Sequence, residues 1–342
     1  MKTFTLEEVE SHVTAEACWM VYRNKVYNVT DFVQDHPGGQ DIFLQFAGTD
    51  VTSLLGDVTV HPHSDSAYDL LDEYCIGQLS SPTSPATDTD TVDLQKQTAQ
   101  MGHERDLQFL DLTRPLFPQL WHATYSKAFY LEQVHRPRFT PHYVPYFSDP
   151  ILDLLSRTTW YTVPLVWLPF ITYQLWRSLE TGDTATTTVQ GFFYGAVFWT
   201  FLEYVLHRFL FHLDDLLPDH PLALLIHFTL HGIHHHMPMD RLRLVMPPAL
   251  TVIISFPIFQ LAKTLFIPTV THAFMAGAFF GYVCYDMVHY YLHHAQVMKI
   301  HFKEMKRYHL AHHYKNFESG YGITSKVWDR IFGTVLELPQ EA

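Results

Sequence analysis

The hydrophobic pattern of the chain changes character near residue 150. Before that point apolar residues come in short runs broken by charge. The run Val21–Val29 (VYRNKVYNV) reads as strand-like and leads into Val29-Thr-Asp-Phe-Val-Gln-Asp-His36-Pro37-Gly38-Gly39. Residues 81–100 (SPTSPATDTDTVDLQKQTAQ) offer almost nothing to bury and predict a flexible linker. Residues 101–150 are amphipathic and aromatic with several prolines, so short helices and loops of cytosolic or interfacial character are expected there. Beyond them, charge-free stretches run over 158–176, 184–202, 244–262 and 264–285. Each approaches the roughly 20 residues of a bilayer-spanning helix. The pattern therefore predicts an all-α membrane-embedded domain over 151–342, with about four transmembrane helices at 156–177, 185–206, 245–263 and 266–288.

Charge refines this picture. The 342 residues carry 22 Lys+Arg and 35 Asp+Glu, a formal charge of −13, which excludes nucleic acid as a partner because such binding needs a basic footprint. Thirteen acids against three bases place most of that charge in residues 1–80. Lys299, Lys303, Lys306, Arg307, Lys315, Lys326 and Arg330 cluster late in the chain, whereas 264–272 has no Lys or Arg. Basic residues stay cytoplasmic, so both termini and the 207–243 connection are expected on the cytosolic side. The opening MKTFTLEEVESH is acidic and polar, and no cleaved secretory signal is expected. Cys18, Cys75 and Cys284 are odd in number and far apart, which excludes a disulfide framework.

Histidine is the compositional outlier, with 24 residues, sixteen of them between His207 and His313. His207 and His212 bracket HRFLFH; His231, His234 and His235 make HGIHH; His289 and His293 make HYYLH; His309, His312 and His313 make HLAHH. Residues three and four apart share a helix face, so H-x-x-H-H presents three imidazoles to one side. Its adjacent pair is splayed by about 100°, enough to reach two neighbouring metals. The five-residue step from His207 to His212 fits no single α-helical face, so the helix should end or distort there. Imidazole suits Fe, Zn, Cu and Ni. Ten ligands exceed the three or four of one zinc site and predict a dimetal centre. His220, His227, His236, His272, His294 and His301 fall outside the pattern and are expected to support the ligands or to be incidental.

The ordered set H-x4-H, H-x2-H-H, H-x3-H and H-x2-H-H between apolar stretches resembles the fatty acid hydroxylase superfamily, whose members are integral-membrane, dimetal, O2-dependent lipid oxidases. LHRFLFHLDD, RLVMPP, YDMVHYYLHH and YHLAHHYKN resemble the fatty acid 2-hydroxylases of sphingolipid synthesis, over about 140–335. The resemblance implies His207, His212, His231, His234, His235, His289, His293, His309, His312 and His313 as metal ligands. It implies two metal ions, iron in turnover, with zinc able to take the same sites in purified protein. Tyr285 and Asp286, one helical turn before His289, are candidates to orient a lipid head group; the other role open to them is hydrogen bonding to a ligand histidine.

The N-terminal 80 residues resemble cytochrome b5, a small α+β haem domain, through HPGG and a second histidine in HPHSDSAYDLL. Haem b would then be held between His36 and His63, with His61 the alternative second ligand. A bis-histidine haem has no open position for O2 and moves electrons instead. Together the two resemblances imply a monooxygenase that 2-hydroxylates the long or very long acyl chain of a ceramide or its precursors in the endoplasmic reticulum membrane. An NAD(P)H-dependent cytochrome b5 reductase would supply the electrons. A sterol oxidase or acyl desaturase can use a similar polyhistidine centre, and a membrane-anchored haem carrier is the non-enzymatic alternative.

Overall fold

The computed structural model describes residues 2–33, 36, 43–56, 63, 65–80, 109–140, 142–265, 268–294, 300–314 and 316–337. The expected linker at 81–100, Pro37-Gly38-Gly39 and His61 lie outside them. The chain forms two compact units, one of residues 1–119 with 136–145, the other of 120–135 with 146–342.

The first unit is built on five strands, β1 (Lys2–Phe4), β2 (Val13–Thr14), β3 (Ala17–Tyr22), β4 (Lys25–Asn28) and β5 (Cys75–Leu79), in the order β1-β5-β4-β3-β2. The run VYRNKVYNV is a hairpin, not one strand: Tyr22 pairs with Lys25, and Arg23 and Asn24 both take positive φ (50° and 62°). Two left-handed residues give the turn whose twist matches the flanking strands. Helix α1 (Leu6–Glu10) starts at a reciprocal cap, with Thr5 N donating to Glu8 Oε2 (2.7 Å) and Glu8 N to Thr5 Oγ1 (3.2 Å). Helices α2 (Thr52–Gly56) and α3 (Asp65–Glu73) accompany the sheet. Val33, Val51, Leu54, Tyr27 and Met20 form its main core, which Phe43, Tyr68 and Tyr74 adjoin.

The second unit is helical. Its long helices are α4 (Thr162–Glu180), α5 (Ala185–Leu206), α6 (Pro248–Leu265), α7 (Pro268–His294) and α8 (Ile300–Tyr314). Among the described residues no helix is long and apolar enough to cross a membrane. Thr, Gln, Ser and Tyr stand within α4 and α5. Several of those polar side chains point inward: Gln174, Ser178 and Thr188 are buried, Gln174 bonds His272 Nδ1 (2.6 Å) and Ser178 meets Thr188 (3.1 Å).

Helices α5 and α7 pack with their backbones in close approach. Each carries a G-x-x-x-G step, Gly191/Gly195 on α5 and Gly277/Gly281 on α7. A Cβ on Gly195 would overlap the Phe274 carbonyl, and one on Gly277 the Phe192 carbonyl. Small residues let helices approach this closely. The contact sets the rotation of α7 and hence where His289 and His293 point. Gly195→Leu is expected to force the pair apart and lower stability by about 1–3 kcal/mol, read as a fall in the thermal midpoint.

Candidate metal centre and haem pocket

The histidines converge on two adjoining buried clusters. One holds His234, His289, His293, His309 and His313; the other holds His207, His212, His235 and His312, with the ligand nitrogens of each within 4.8 Å of one another. The H-x-x-H-H copies behave as interlocking forks. His234 enters the first cluster and its neighbour His235 the second, while His313 enters the first and His312 the second. His231 stands against the second cluster, its Nε2 3.1 Å from His235 Nε2 and its ring stacked on Phe211. The clusters abut, with the His235 and His313 rings 4.4 Å apart.

Backbone irregularity makes this possible. At the end of α5 the chain winds into a π-turn, His207–Phe211, closed by His212 N donating to the His207 carbonyl (3.0 Å). A π-turn widens the helix to an i→i+5 ladder, so His207 and His212 face the same cluster despite their five-residue step. A second π-turn, Phe228–Gly232, contains His231 and precedes the short helix Ile233–His236. The helix both distorts and ends at HRFLFH: it widens into the π-turn and stops at Phe211, with His212 as its C-cap.

The second cluster is braced from outside. His207 Nδ1 meets the Tyr321 carbonyl (2.6 Å) and His312 Nδ1 the Ser319 carbonyl (2.7 Å). A carbonyl only accepts, so both rings carry their proton on Nδ1 and turn the Nε2 lone pair inward. The loop bearing these carbonyls is clamped in turn: Ile323 N and Thr324 N donate to Glu203, and Tyr321 N and Gly322 N to Asp329.

The donor set fits metal. Nitrogens on bonds of about 2.1 Å at right angles lie about 3 Å apart. The observed Nε2–Nε2 distances are 3.1 Å for His212–His235, His212–His312 and His309–His313, and 2.9 Å for His293–His309. His207 Nε2, His289 Nε2 and both nitrogens of His234 are buried without a hydrogen-bond partner. Burial pushes His212 down to about 4 and His234 down to about 3, so these imidazoles are neutral and able to ligate at pH 7.

Two supporting residues had no signal in the spacing. His135 lies in T-shaped contact with the His235 ring at 5.2 Å and stacks on Phe317 at 3.5 Å. Asp214 lies among three imidazoles, His135 Nε2 at 3.2 Å, His227 Nε2 at 3.3 Å and His212 Nδ1 at 3.7 Å. Asp214 stands in the quoted LHRFLFHLDD, two residues past a ligand, which is the one hint the sequence held. Of the out-of-pattern histidines, His227 supports this group, its Nδ1 2.7 Å from Tyr130 Oη. His236 meets the Gln133 carbonyl, His220 caps Leu222 and His294 lies against Tyr290. The His301 side chain is outside the described residues. Tyr285 is buried with its ring 5.8 Å from that of His289, whereas the Asp286 carboxylate accepts from Tyr282 Oη (3.0 Å) and Met246 N (3.3 Å).

In the first unit the His36 and His63 rings face each other with centroids 6.4 Å apart. Two imidazole–metal bonds of about 2 Å and the two ring radii fill such a gap. Phe43 lies 4.6 Å from the His36 ring and Tyr68 6.0 Å from the His63 ring, giving apolar walls suited to a porphyrin.

Two family models match the regions that carry these residues. The fatty acid hydroxylase family model matches residues 192–334, and that of the cytochrome b5-like heme/steroid binding domain matches 5–80. The ceramide very long chain fatty acid hydroxylase SCS7 of Saccharomyces cerevisiae is 40% identical over 370 aligned positions, covering 98% of this chain and 95% of its own. The chain belongs to the fatty acid 2-hydroxylase family. The fatty acid 2-hydroxylase of Mus musculus is 36% identical across 99% of this chain and 96% of its own. A solved structure described as full-length scs7p with only the hydroxylase domain visible is 41% identical, superposes with a TM-score of 0.65, and covers 75% of this chain and 94% of that one. This 2-hydroxylase family member is therefore an oxidoreductase with an N-terminal cytochrome b5-like domain followed by a helical, histidine-rich hydroxylase domain.

The buried imidazoles give the stability a defined pH dependence. Unfolded, they titrate near 6.5; folded, His212 and His234 resist protonation down to about 4 and 3. The unfolded chain thus binds more protons as pH falls below 6.5, and stability falls with it, by about 1.4 kcal/mol per pH unit for each such imidazole. Thermal midpoints should be level in this respect above pH 7 and drop steeply from pH 6 to 4.5.

Proposed function

We propose that this chain hydroxylates carbon 2 of a long or very long fatty acyl chain in a ceramide or ceramide precursor. Oxygen is the oxidant, and electrons come through the chain's own haem module. The observation that carries the reading is a pair of adjoining imidazole clusters, buried and neutral, in a chain that also holds a bis-histidine haem pocket. Each turnover takes one O2, two electrons and two protons, places one oxygen atom in the C–H bond and releases the other as water.

His207, His212, His231, His234, His235, His289, His293, His309, His312 and His313 would hold two iron ions, which would supply the O2 chemistry that side chains cannot. Zinc fits the same nitrogens but does not change oxidation state. His36 and His63 would hold haem b, which would supply one-electron transfer, with an NAD(P)H-dependent cytochrome b5 reductase as the donor. The segment 81–100 tethers the haem module to the hydroxylase domain and raises its local concentration there.

The substrate reading rests on a cavity of about 280 Å³ between α5, α6 and α7, walled almost wholly by apolar side chains. Its far end is lined by Leu261 and Phe274; its near end is lined by Phe211, Glu203 and Tyr285, and Tyr285 adjoins His289. An acyl tail suits that wall. Tyr285 orients the carbonyl end of the substrate, and Asp286 holds Tyr282, whose side chain lines the same cavity.

The helical domain is embedded in the endoplasmic reticulum membrane, with four spans and both termini cytosolic. Support comes from the outward faces of the long helices: Leu165 is 68% exposed, Val189 67% and Ile253 68%. Exposed Trp160, Tyr161, Tyr173 and Trp176 provide aromatic side chains near both ends of α4, as interfacial anchoring requires. An apolar surface this extensive calls for lipid.

The test is to purify the protein in detergent, record its optical spectrum and metal content, and measure 2-hydroxyacyl lipid by mass spectrometry with reductase and NAD(P)H. One haem and two non-haem metals per chain are expected. His36→Ala should lose the haem bands and turnover while keeping both metals; His234→Ala should keep the haem bands and lose non-haem metal and turnover. Full turnover in His234→Ala, or oxidation at a position other than carbon 2, would overturn the proposal.

A further inference from the structure

We propose that Asp214 is a positioning residue that fixes the orientation and tautomer of His212 and thereby determines whether the second cluster retains its metal. This inference rests on the dimetal reading above. The metals themselves are described by the histidines; the function of this acid is not.

His212 is the hinge of the second cluster. Its Nε2 lies 3.1 Å from both His235 Nε2 and His312 Nε2, and His235 Nε2 is in turn 3.1 Å from His231 Nε2. It is also the ligand with the weakest backbone support, sitting just past the π-turn at φ −100°, ψ 61°. His207 and His312 have their tautomers set by carbonyls, at 2.6 and 2.7 Å. His212 has the Asp214 carboxylate on its Nδ1 side instead, at 3.7 Å. An anion there favours the proton on Nδ1 and the lone pair on Nε2, where the metal needs it.

The acid is itself held in place. Its Oδ2 meets His135 Nε2 (3.2 Å), its Oδ1 meets His227 Nε2 (3.3 Å), and His227 Nδ1 lies 2.7 Å from Tyr130 Oη. His135 is pinned by parallel stacking on Phe317. One carboxylate thus gathers three imidazoles from 79, 13 and 2 residues away in sequence. His135 Nε2 is hydrogen-bonded to the carboxylate, while His227 Nε2 and His212 Nδ1 lie beside it as charge contacts that an uncharged asparagine would not supply. Asp214 stands beside a ligand of the second cluster, His212, and not beside the first cluster.

The consequence is selective. Asp214→Asn should leave the first metal in place and release the second, so that elemental analysis of the purified full-length protein falls from about two non-haem metals per chain to about one. The remaining metal should resist EDTA as in the wild type. Asp214→Glu, which keeps the carboxylate, should recover part of the second metal. His234→Ala provides the contrast, emptying the first cluster. A cobalt-loaded sample gives a second readout, since the visible bands of the two sites can be titrated separately. Two metals retained in Asp214→Asn with unchanged EDTA resistance would overturn the proposal. Loss of both metals with a collapsed thermal transition in Asp214→Asn and also in Tyr130→Phe, which leaves the carboxylate in place, would overturn it too, showing a general structural role. A wild type without non-haem metal would refute the dimetal reading instead.

Discussion

The hydroxylase half depends on one constraint: many neutral imidazoles buried with their lone pairs turned toward one another. Lone pairs about 3 Å apart repel, and a buried polar atom without a partner costs about 1–3 kcal/mol. His207 Nε2, His289 Nε2 and both His234 nitrogens stand in that position. Only a cation at the centre of each cluster turns this liability into binding energy, and structural zinc in small peptides contributes about 10–16 kcal/mol on that basis. The rest of the unit is arranged to hold the rings against their own repulsion. The close approach of α5 and α7 through paired glycines, the two π-turns, and the loop 319–324 clamped by Glu203 and Asp329 all serve that end.

How the clusters are shared among helices follows from helix geometry. Adjacent residues on a helix diverge by about 100°, a defect if one metal must be surrounded and an advantage if two must be. His234-His235 and His312-His313 each feed both clusters, so the two sites share common walls and cannot move independently. This part was legible in the sequence, because H-x-x-H-H spacing and helical period together determine where the side chains go. The widening at HRFLFH was legible as a conflict of spacing, though not in its form. A five-residue step says that the α-helix fails, and hydrogen bonding makes it widen before it ends at His212.

What the sequence could not display are contacts made across long separations. His135 and Asp214 are 79 residues apart, and nothing in the local pattern around His135 marks it; its place against Phe317 arises only once the chain is folded. The Tyr321 and Ser319 carbonyls are backbone groups and carry no residue signature at all. In the first unit an apolar alternation was read as strand, yet Arg23 and Asn24 turn the chain back on itself with two left-handed residues. Asparagine is a turn former, but arginine there disguises the hairpin. Charge-free length marked four long apolar stretches, yet among the described residues no helix is long and apolar enough to cross a membrane, and Gln174, Ser178 and Thr188 on α4 and α5 are buried.

The cavity gives the proposed regiochemistry a physical basis. On α7, Phe274 and Tyr285 are eleven residues apart, about 16 Å along the helix, and both line the cavity, with Tyr285 at the end beside His289. Hydroxylation at carbon 2 requires the carbon next to the carbonyl to sit at the metals, so the polar end of the lipid must lie at the Tyr285 end and the tail must run toward Leu261 and Phe274. The reverse orientation would put an amide or ester among side chains that offer almost no hydrogen bonds, at a cost of about 1–3 kcal/mol for each unpaired polar group. An apolar tail gains from that wall about 25 cal/mol per Å² buried. Orientation thus follows from which end of the cavity adjoins His289, and the position oxidised follows from orientation.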